Sequence, residues 1–353
     1  MIGVKFAGWM DTAGAVLVTT LLLLATLGSA SAQDLRFFRI GTGAPGGTYH
    51  PIGGVISNAI SNPPGSRPCD KGGSCGVPGF IASAKSTQGS IDNVRAIGAG
   101  TLESGFSQAD IAYWAYRGLG PFASTGEITN LRAIANLFPE SVHVVARRDS
   151  GIARISDLRG KRVSLGEDGS GTVVEARAIL DVYGLTKGDF SATNLKPVSA
   201  SIQLREGKID AFFIVAGAPI GAIQELSRSL EITLIPIEGA EAETLLKRFP
   251  FFESGIIPEG AYQGVPESPT IRVGAQWLVA ADTDADLVYG ITRAFWHEET
   301  GKLLAGAHRM GKDIGLASSL DGIAVPLHPG AARYYFEVGR LNAPPPSREK
   351  IGP

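Results

Sequence analysis

The chain has 353 residues, enough for two ordinary domains, and sets 32 Lys and Arg against 34 Asp and Glu for a formal net charge of −2. That balance excludes a strongly basic surface for nucleic acid or an anionic membrane. No second long apolar run follows the N-terminal one, so the remainder is expected to be soluble.

The first segment in chain order is a leader. Lys5 gives a weak positive start, blunted by Asp11, and residues 13–27 are uncharged and mostly apolar, with leucines from Leu21 to Leu24. Ala30-Ser31-Ala32 then supplies a small-x-small cleavage pattern. The run is shorter than the ~20 residues that span a bilayer, which favours a cleaved signal peptide over residues 1–32 rather than a membrane anchor. The mature chain is then expected to begin at Gln33 in the periplasm. No cysteine lies near the cleavage pattern, so a lipid anchor is not indicated.

A short apolar strand over residues 36–40 runs into Gly41-Thr42-Gly43-Ala44-Pro45-Gly46-Gly47-Thr48-Tyr49-His50 and a helix over 49–61. Strand, glycine turn and helix together leave backbone N–H groups pointing outward at a helix start, where the helix dipole also favours an anion. Thr87-Gln88-Gly89-Ser90 and Gly169-Ser170-Gly171-Thr172 repeat the arrangement ahead of helical patterns at 91–98 and 173–182. Three such turns aimed at one cleft would receive a small anion, whereas each alone is often only a tight connection. Gly41-x-Gly43-x-x-Gly46 fits a dinucleotide fingerprint, but no acidic residue ends a second strand ~20 residues later. A phosphate-binding P-loop is excluded by the missing Gly-Lys-Ser/Thr ending.

Cys69 and Cys75 share one proline- and glycine-rich loop, and their spacing excludes a CxxC redox pair. They read as one local disulfide, with free thiols as the alternative. Strands follow at 80–84, 131–137 and 142–147, and a helix at 109–117 opens after Phe106-Ser107-Gln108-Ala109-Asp110. A short helix at 152–160 is expected to be capped by Ser156 or Asp157. Further strands are expected at 209–215, 232–237 and 270–279, and helices at 220–230 and 286–315. The alternation indicates an α/β fold with parallel sheets.

Tyr49 suits either core packing or a pocket wall, Gln108 suits a ligand contact, Asp110 a helix cap, and Trp114 the core or a pocket wall. His50 and His143 have no Cys, Asp or Glu at ligand spacing, so neither a metal nor another cofactor is expected. An HExxH motif is absent, and the chain is not expected to be an enzyme.

Asp157-Leu158-Arg159-Gly160-Lys161-Arg162-Val163, Gly169-Ser170-Gly171-Thr172 and Gly207-Lys208-Ile209-Asp210-Ala211-Phe212-Phe213 resemble the second lobe of type 2 periplasmic binding proteins. The turn at Gly41–Gly53 together with Gln88-Gly89-Ser90-Ile91-Asp92-Asn93, Gln108-Ala109-Asp110 and Pro139-Glu140-x-Val142-His143-Val144-Val145 narrows the resemblance to the TAXI family. These are solute receptors of tripartite ATP-independent periplasmic (TRAP) transporters. The resemblance implies a two-lobed α/β fold, with one lobe from residues 33–140 plus 272–353, the other from 141–271, and two crossing strands as hinge. It implies a small carboxylate ligand resembling glutamate, glutamine or 2-oxoglutarate, separate TRAP membrane subunits as partners, and a monomer. The ligand contacts it implies are Thr42, Gly43, Gly46, Gly47, Thr48, Tyr49, Gln88, Gly89, Ser90, Gln108, Asp110, Ser170, Gly171, Thr172 and Gly217. The binding protein of an ATP-driven importer and an exported enzyme on the same lobes are the alternatives.

Overall fold

Leu131 to Arg147 reads as two apolar runs broken by Pro139, yet it forms one strand of 17 residues. The computed structural model describes residues 35–343, so the expected leader, Gln33 and the proline tail at 344–346 lie outside the described residues. In chain order the elements are β1 (Arg36–Gly41), α1 (Tyr49–Ile60), β2 (Ser61–Asn62), β3 (Val77–Pro78), β4 (Phe80–Lys85), α2 (Ser90–Gly98), β5 (Ser104–Gln108) and α3 (Ala109–Arg117). The long strand β6 (Leu131–Arg147) leads to β7 (Arg162–Ser164), α4 (Thr172–Val182), β8 (Ser191–Thr193), α5 (Pro197–Arg205), β9 (Ala211–Ala216), α6 (Gly221–Ser229) and β10 (Ile232–Leu234). The chain continues through α7 (Gly239–Arg248), β11 (Glu253–Ile257), β12 (Ser268–Ala280), α8 (Ala285–Phe295), α9 (Glu298–Ala307) and α10 (Pro329–Glu337).

The strands form a single sheet in the order β3-β2-β4-β1-β5-β12-β6-β9-β7-β8, with β10 on β6 and β11 on β12. The expectation of parallel pairing holds on the flanks, at β1–β4, β1–β5, β7–β8 and β7–β9. It is corrected at the centre, where β5–β12, β12–β6 and β6–β9 are antiparallel. Pairing with β9 begins only at Ser141, so Pro139 sits where one edge of β6 is uncovered, a place that tolerates a residue without an N–H. Ser141 lies opposite Arg272 and Glu140 opposite Val273. The two positions at which the sequence reading divides the chain are therefore cross-strand neighbours.

Each half of the sheet buries its own apolar cluster. Phe38, Ile40, Ile52, Ile56, Phe106, Trp277 and Phe295 pack around β1, α1 and α8. Val144, Val163, Ala176, Ile179 and Phe213 pack around β7, β9 and α4. The described residues from Arg36 onward nevertheless form one compact unit.

Several boundaries differ from the sequence expectation. Strand β5 was hidden because Ser104-Gly105-Phe106-Ser107-Gln108 looks polar, although all five residues are buried. The turn at 155–158 is a 3-10 helix whose N-cap is Arg154, and Asp157 Oδ2 reaches back to accept from Ala153 and Arg154 N–H. The helical stretch at 286–315 breaks into α8 and α9 around Trp296 and His297. Cys69 and Cys75 are joined in a disulfide.

Candidate functional site

The three glycine turns converge. The starts of α1, α2 and α4 meet over β6 and β9 in a cleft lined by Gly43, Ala44, Gly47, Thr48, Tyr49, Gln88, Gly89, Ser90, Gln108, Glu140, Glu167, Ser170, Gly171, Thr172, Pro197, Ile214, Val215 and Ala216. Its volume is about 60 Å³, above the ~10–15 Å³ that a cavity needs to admit a water. The cleft is nearly shut.

Direct contacts hold it so. Thr48 Oγ1 donates to the Gly217 carbonyl at 2.7 Å, Asp92 N–H to the Gly169 carbonyl at 3.1 Å, and Ala222 N–H to the Gly46 carbonyl at 3.1 Å. Tyr113 and Trp114 of α3 pack in tilted and edge-to-face contacts with Phe251 and Phe249 beyond α7, with ring centroids 4.9 to 6.4 Å apart. Two glycines permit this approach. Gly89 has φ +113° and a Cβ there would lie 3.4 Å from Ser170 Cα, while a Cβ on Gly171 would overlap Gln108 Oε1. Because the Thr48 hydroxyl is spent on Gly217, and Gly89 has no side chain, α1 and α2 begin without side-chain caps. Asp92 N–H is taken by Gly169 and Pro51 has none, which leaves the amides of Tyr49, His50, Ser90 and Ile91 without a side-chain cap.

Of the residues the sequence singled out, Gly43, Gly47, Thr48, Tyr49, Gln88, Gly89, Ser90, Gln108, Ser170, Gly171 and Thr172 line the cleft. Four do not. Thr42 is buried behind it and donates to the Lys85 carbonyl at 2.7 Å. Gly46 abuts Val198 and Ala222 in a separate depression, and Gly217 packs on Phe138 and Met310. Asp110 is fully buried and its Oδ1 accepts from Ile111 N–H at 2.8 Å, so the N-cap of α3 is Gln108 instead. Thr172 Oγ1 accepts from Val215 N–H at 3.1 Å, which ties α4 to β9. Ser90 Oγ donates to Gln108 Oε1 at 2.8 Å and orients that amide.

The cleft is lined by acidic rather than basic side chains. No Lys or Arg is among the described residues lining it, whereas Glu140 and Glu167 are. Glu140 accepts from the Tyr49 hydroxyl at 2.7 Å. Burial pushes the Glu140 carboxyl up to about 8; the Tyr49 bond opposes this and Asp110 adds to it. Burial likewise holds the Tyr49 hydroxyl well above its usual range, with the Glu140 charge adding. Glu167 rises to about 7 through burial, against the pull of Lys196. Behind them the Asp110 and Glu175 carboxyls are both raised by burial, Glu175 further by the Asp110 charge. Glu175 accepts from no protein donor on either oxygen.

Glu140 stood in a sequence motif but was not among the residues expected at the site. Glu167, Pro197 and the Ile214-Val215-Ala216 edge carry no local signal and are brought in by the fold. His143 is the satisfied core histidine expected: Nδ1 lies 2.9 Å from the Ser141 carbonyl, Nε2 2.8 Å from the Tyr262 hydroxyl, and burial lowers its pKa to about 4.

Among the described residues, the one set of three metal-type ligand atoms within 4.8 Å of one another is Cys69, Cys75 and His297. Both sulfurs are in the disulfide, so the set offers no thiolate. Among the described residues no helix is long and apolar enough to cross a membrane.

A family model described as NMT1-like matches residues 40–339. A solved protein from Bordetella bronchiseptica RB50 superposes with a TM-score of 0.50 at 15% identity, covering 90% of this chain and 86% of that one. The alkanesulfonate-binding protein SsuA from Xanthomonas axonopodis pv. citri, bound to MOPS, gives 0.47 at 15% identity over 87% of this chain and 94% of its own. MatC from Rhodopseudomonas palustris with bound malate gives 0.48 at 13% identity over 76% and 88%. The α/β fold is shared with the Bordetella protein.

Proposed function

The chain belongs to the NMT1-like family, and from that premise we propose that it is an extracytoplasmic solute receptor. It takes a small carboxylate between two lobes and passes it to the membrane subunits of a TRAP transporter. One observation carries the receptor reading: three glycine turns, far apart in sequence, put uncapped or tightly turned helix starts on a single cleft. Amides at helix starts favour a carboxylate, and low polarity in the shut cleft strengthens each such bond. The lobes comprise residues 33–140 plus 272–353, and 141–271, and the hinge is the pair Ser141 and Arg272 where β6 and β12 cross.

The mechanism is a shift of an open–shut equilibrium, with the ligand adding contacts that only the shut form offers. No turnover is involved, and the chain acts in the periplasm after loss of its leader. The TRAP assignment rests on the joint motif set from Gly41 to Val145. Uptake of ligand by vesicles carrying the membrane subunits, with this chain added outside and no ATP inside, tests it. Uptake without ATP supports the TRAP reading; a requirement for ATP assigns the chain to an ATP-driven importer.

A further inference from the structure

Among the described residues no Lys or Arg lines the cleft beside its buried acids, and Lys196 acts on Glu167 only from outside that lining. Glu140 is 1% exposed and Glu167 8% exposed, both line the cleft, and Glu167 Oε2 has no hydrogen-bond partner. The Tyr49 hydroxyl donates to one Glu140 oxygen. Asp110 and Glu175 lie behind them as a second layer of buried acid. Buried carboxylates are ordinarily paired. Here the partner is missing on the side that faces the ligand.

Glu140 sits on the central strand and Glu167 in the turn before α4, so they approach the cleft from different elements. Among the described residues no three acidic oxygens lie within 4.8 Å of one another, which disfavours a bare metal ion as the missing charge. An ammonium group suits the spread better, because its three N–H donors can bridge separate acceptors.

We propose that the solute carries a primary ammonium group held by Glu140 and Glu167, so the cleft selects amino acids over their 2-oxo counterparts and over simple dicarboxylates. This rests on the receptor reading and deepens it: the carboxylate end meets the helix starts and the ammonium end meets the two glutamates. Full protonation of both acids would neutralise the cleft but leave Glu167 Oε2 unpaired. An ammonium supplies charge and donors together.

Calorimetric titration of the full mature chain with matched pairs tests the proposal: glutamate against 2-oxoglutarate, alanine against pyruvate, leucine against 4-methyl-2-oxopentanoate. At least one amino member is expected to bind ten-fold or more tightly than its 2-oxo partner, and Glu167→Gln and Glu140→Gln should each weaken it about ten- to a hundred-fold. The 2-oxo partner should be weakened by neither. Circular dichroism of both isosteric variants checks that the fold is retained. Equal or tighter binding of the 2-oxo members, or amino-acid binding indifferent to both substitutions, overturns the proposal and leaves the receptor standing. Binding of no compound overturns the ammonium site and the carboxylate receptor alike.

Discussion

Glu140→Gln should flatten the pH dependence of stability. The carboxyl moves from an ordinary 4.5 in the unfolded chain to about 8 in the fold, through burial. An acid whose folded pKa is raised contributes stability that is complete below its unfolded pKa and is lost as pH rises toward the folded one. At about 1.36 kcal/mol per unit, the ligand-free fold has lost about 4 kcal/mol by pH 8, roughly 1.5 of which develops between pH 6.5 and 8. Glutamine keeps an acceptor for the Tyr49 hydroxyl and does not titrate. His143 and His328, each held near 4 by burial, act in the opposite sense, but both proteins share them and the comparison cancels them. Thermal melts of ligand-free protein should therefore fall from pH 6.5 to 8 by roughly 3 °C more in the wild type than in Glu140→Gln. The variant should be the more stable at pH 8. Parallel melting curves across that range would refute the reasoning, because Glu140 would then be ionised and solvated in the fold.

Gly47→Leu should abolish solute binding with little change in ligand-free stability, since only the Ala44 carbonyl lies near its missing Cβ; calorimetry and melts read the two effects separately. Gly171→Ala collides with Gln108 and should hold the cleft open, seen as a larger radius of gyration by small-angle scattering than in the wild type. Tyr49→Phe removes the donor to Glu140 and should cost on the order of 1–3 kcal/mol at pH 8, less at pH 6, by denaturant unfolding. Replacing both cysteines by serine should cost about 2 kcal/mol, by the entropy of the small loop they close, and reductant should then have no further effect.

Local chemistry made much of this structure readable. Glycine-rich turns followed by apolar helices marked α1, α2 and α4, and they also line the cleft, because tight turn and close approach need the same missing Cβ. Contacts that depend on tertiary folding were hidden. β5 is buried yet built from small and polar residues, so neither alternation nor apolar run reveals it. Glu140 and Glu167 are 27 positions apart in the sequence and look like ordinary acids; only burial without a cation gives them meaning. Thr172 looked like a ligand donor, but its hydroxyl accepts from Val215, so Thr172→Val would disturb the fold as well as the site.

Native mass spectrometry of the chain purified without unfolding, beside its Gly47→Leu variant, tests the receptor claim most directly. The account predicts one small molecule per wild-type chain, released intact on unfolding and absent from the variant. The same added mass on both proteins, or none on either, would contradict it, since the cleft at Gly47 would then hold nothing of consequence.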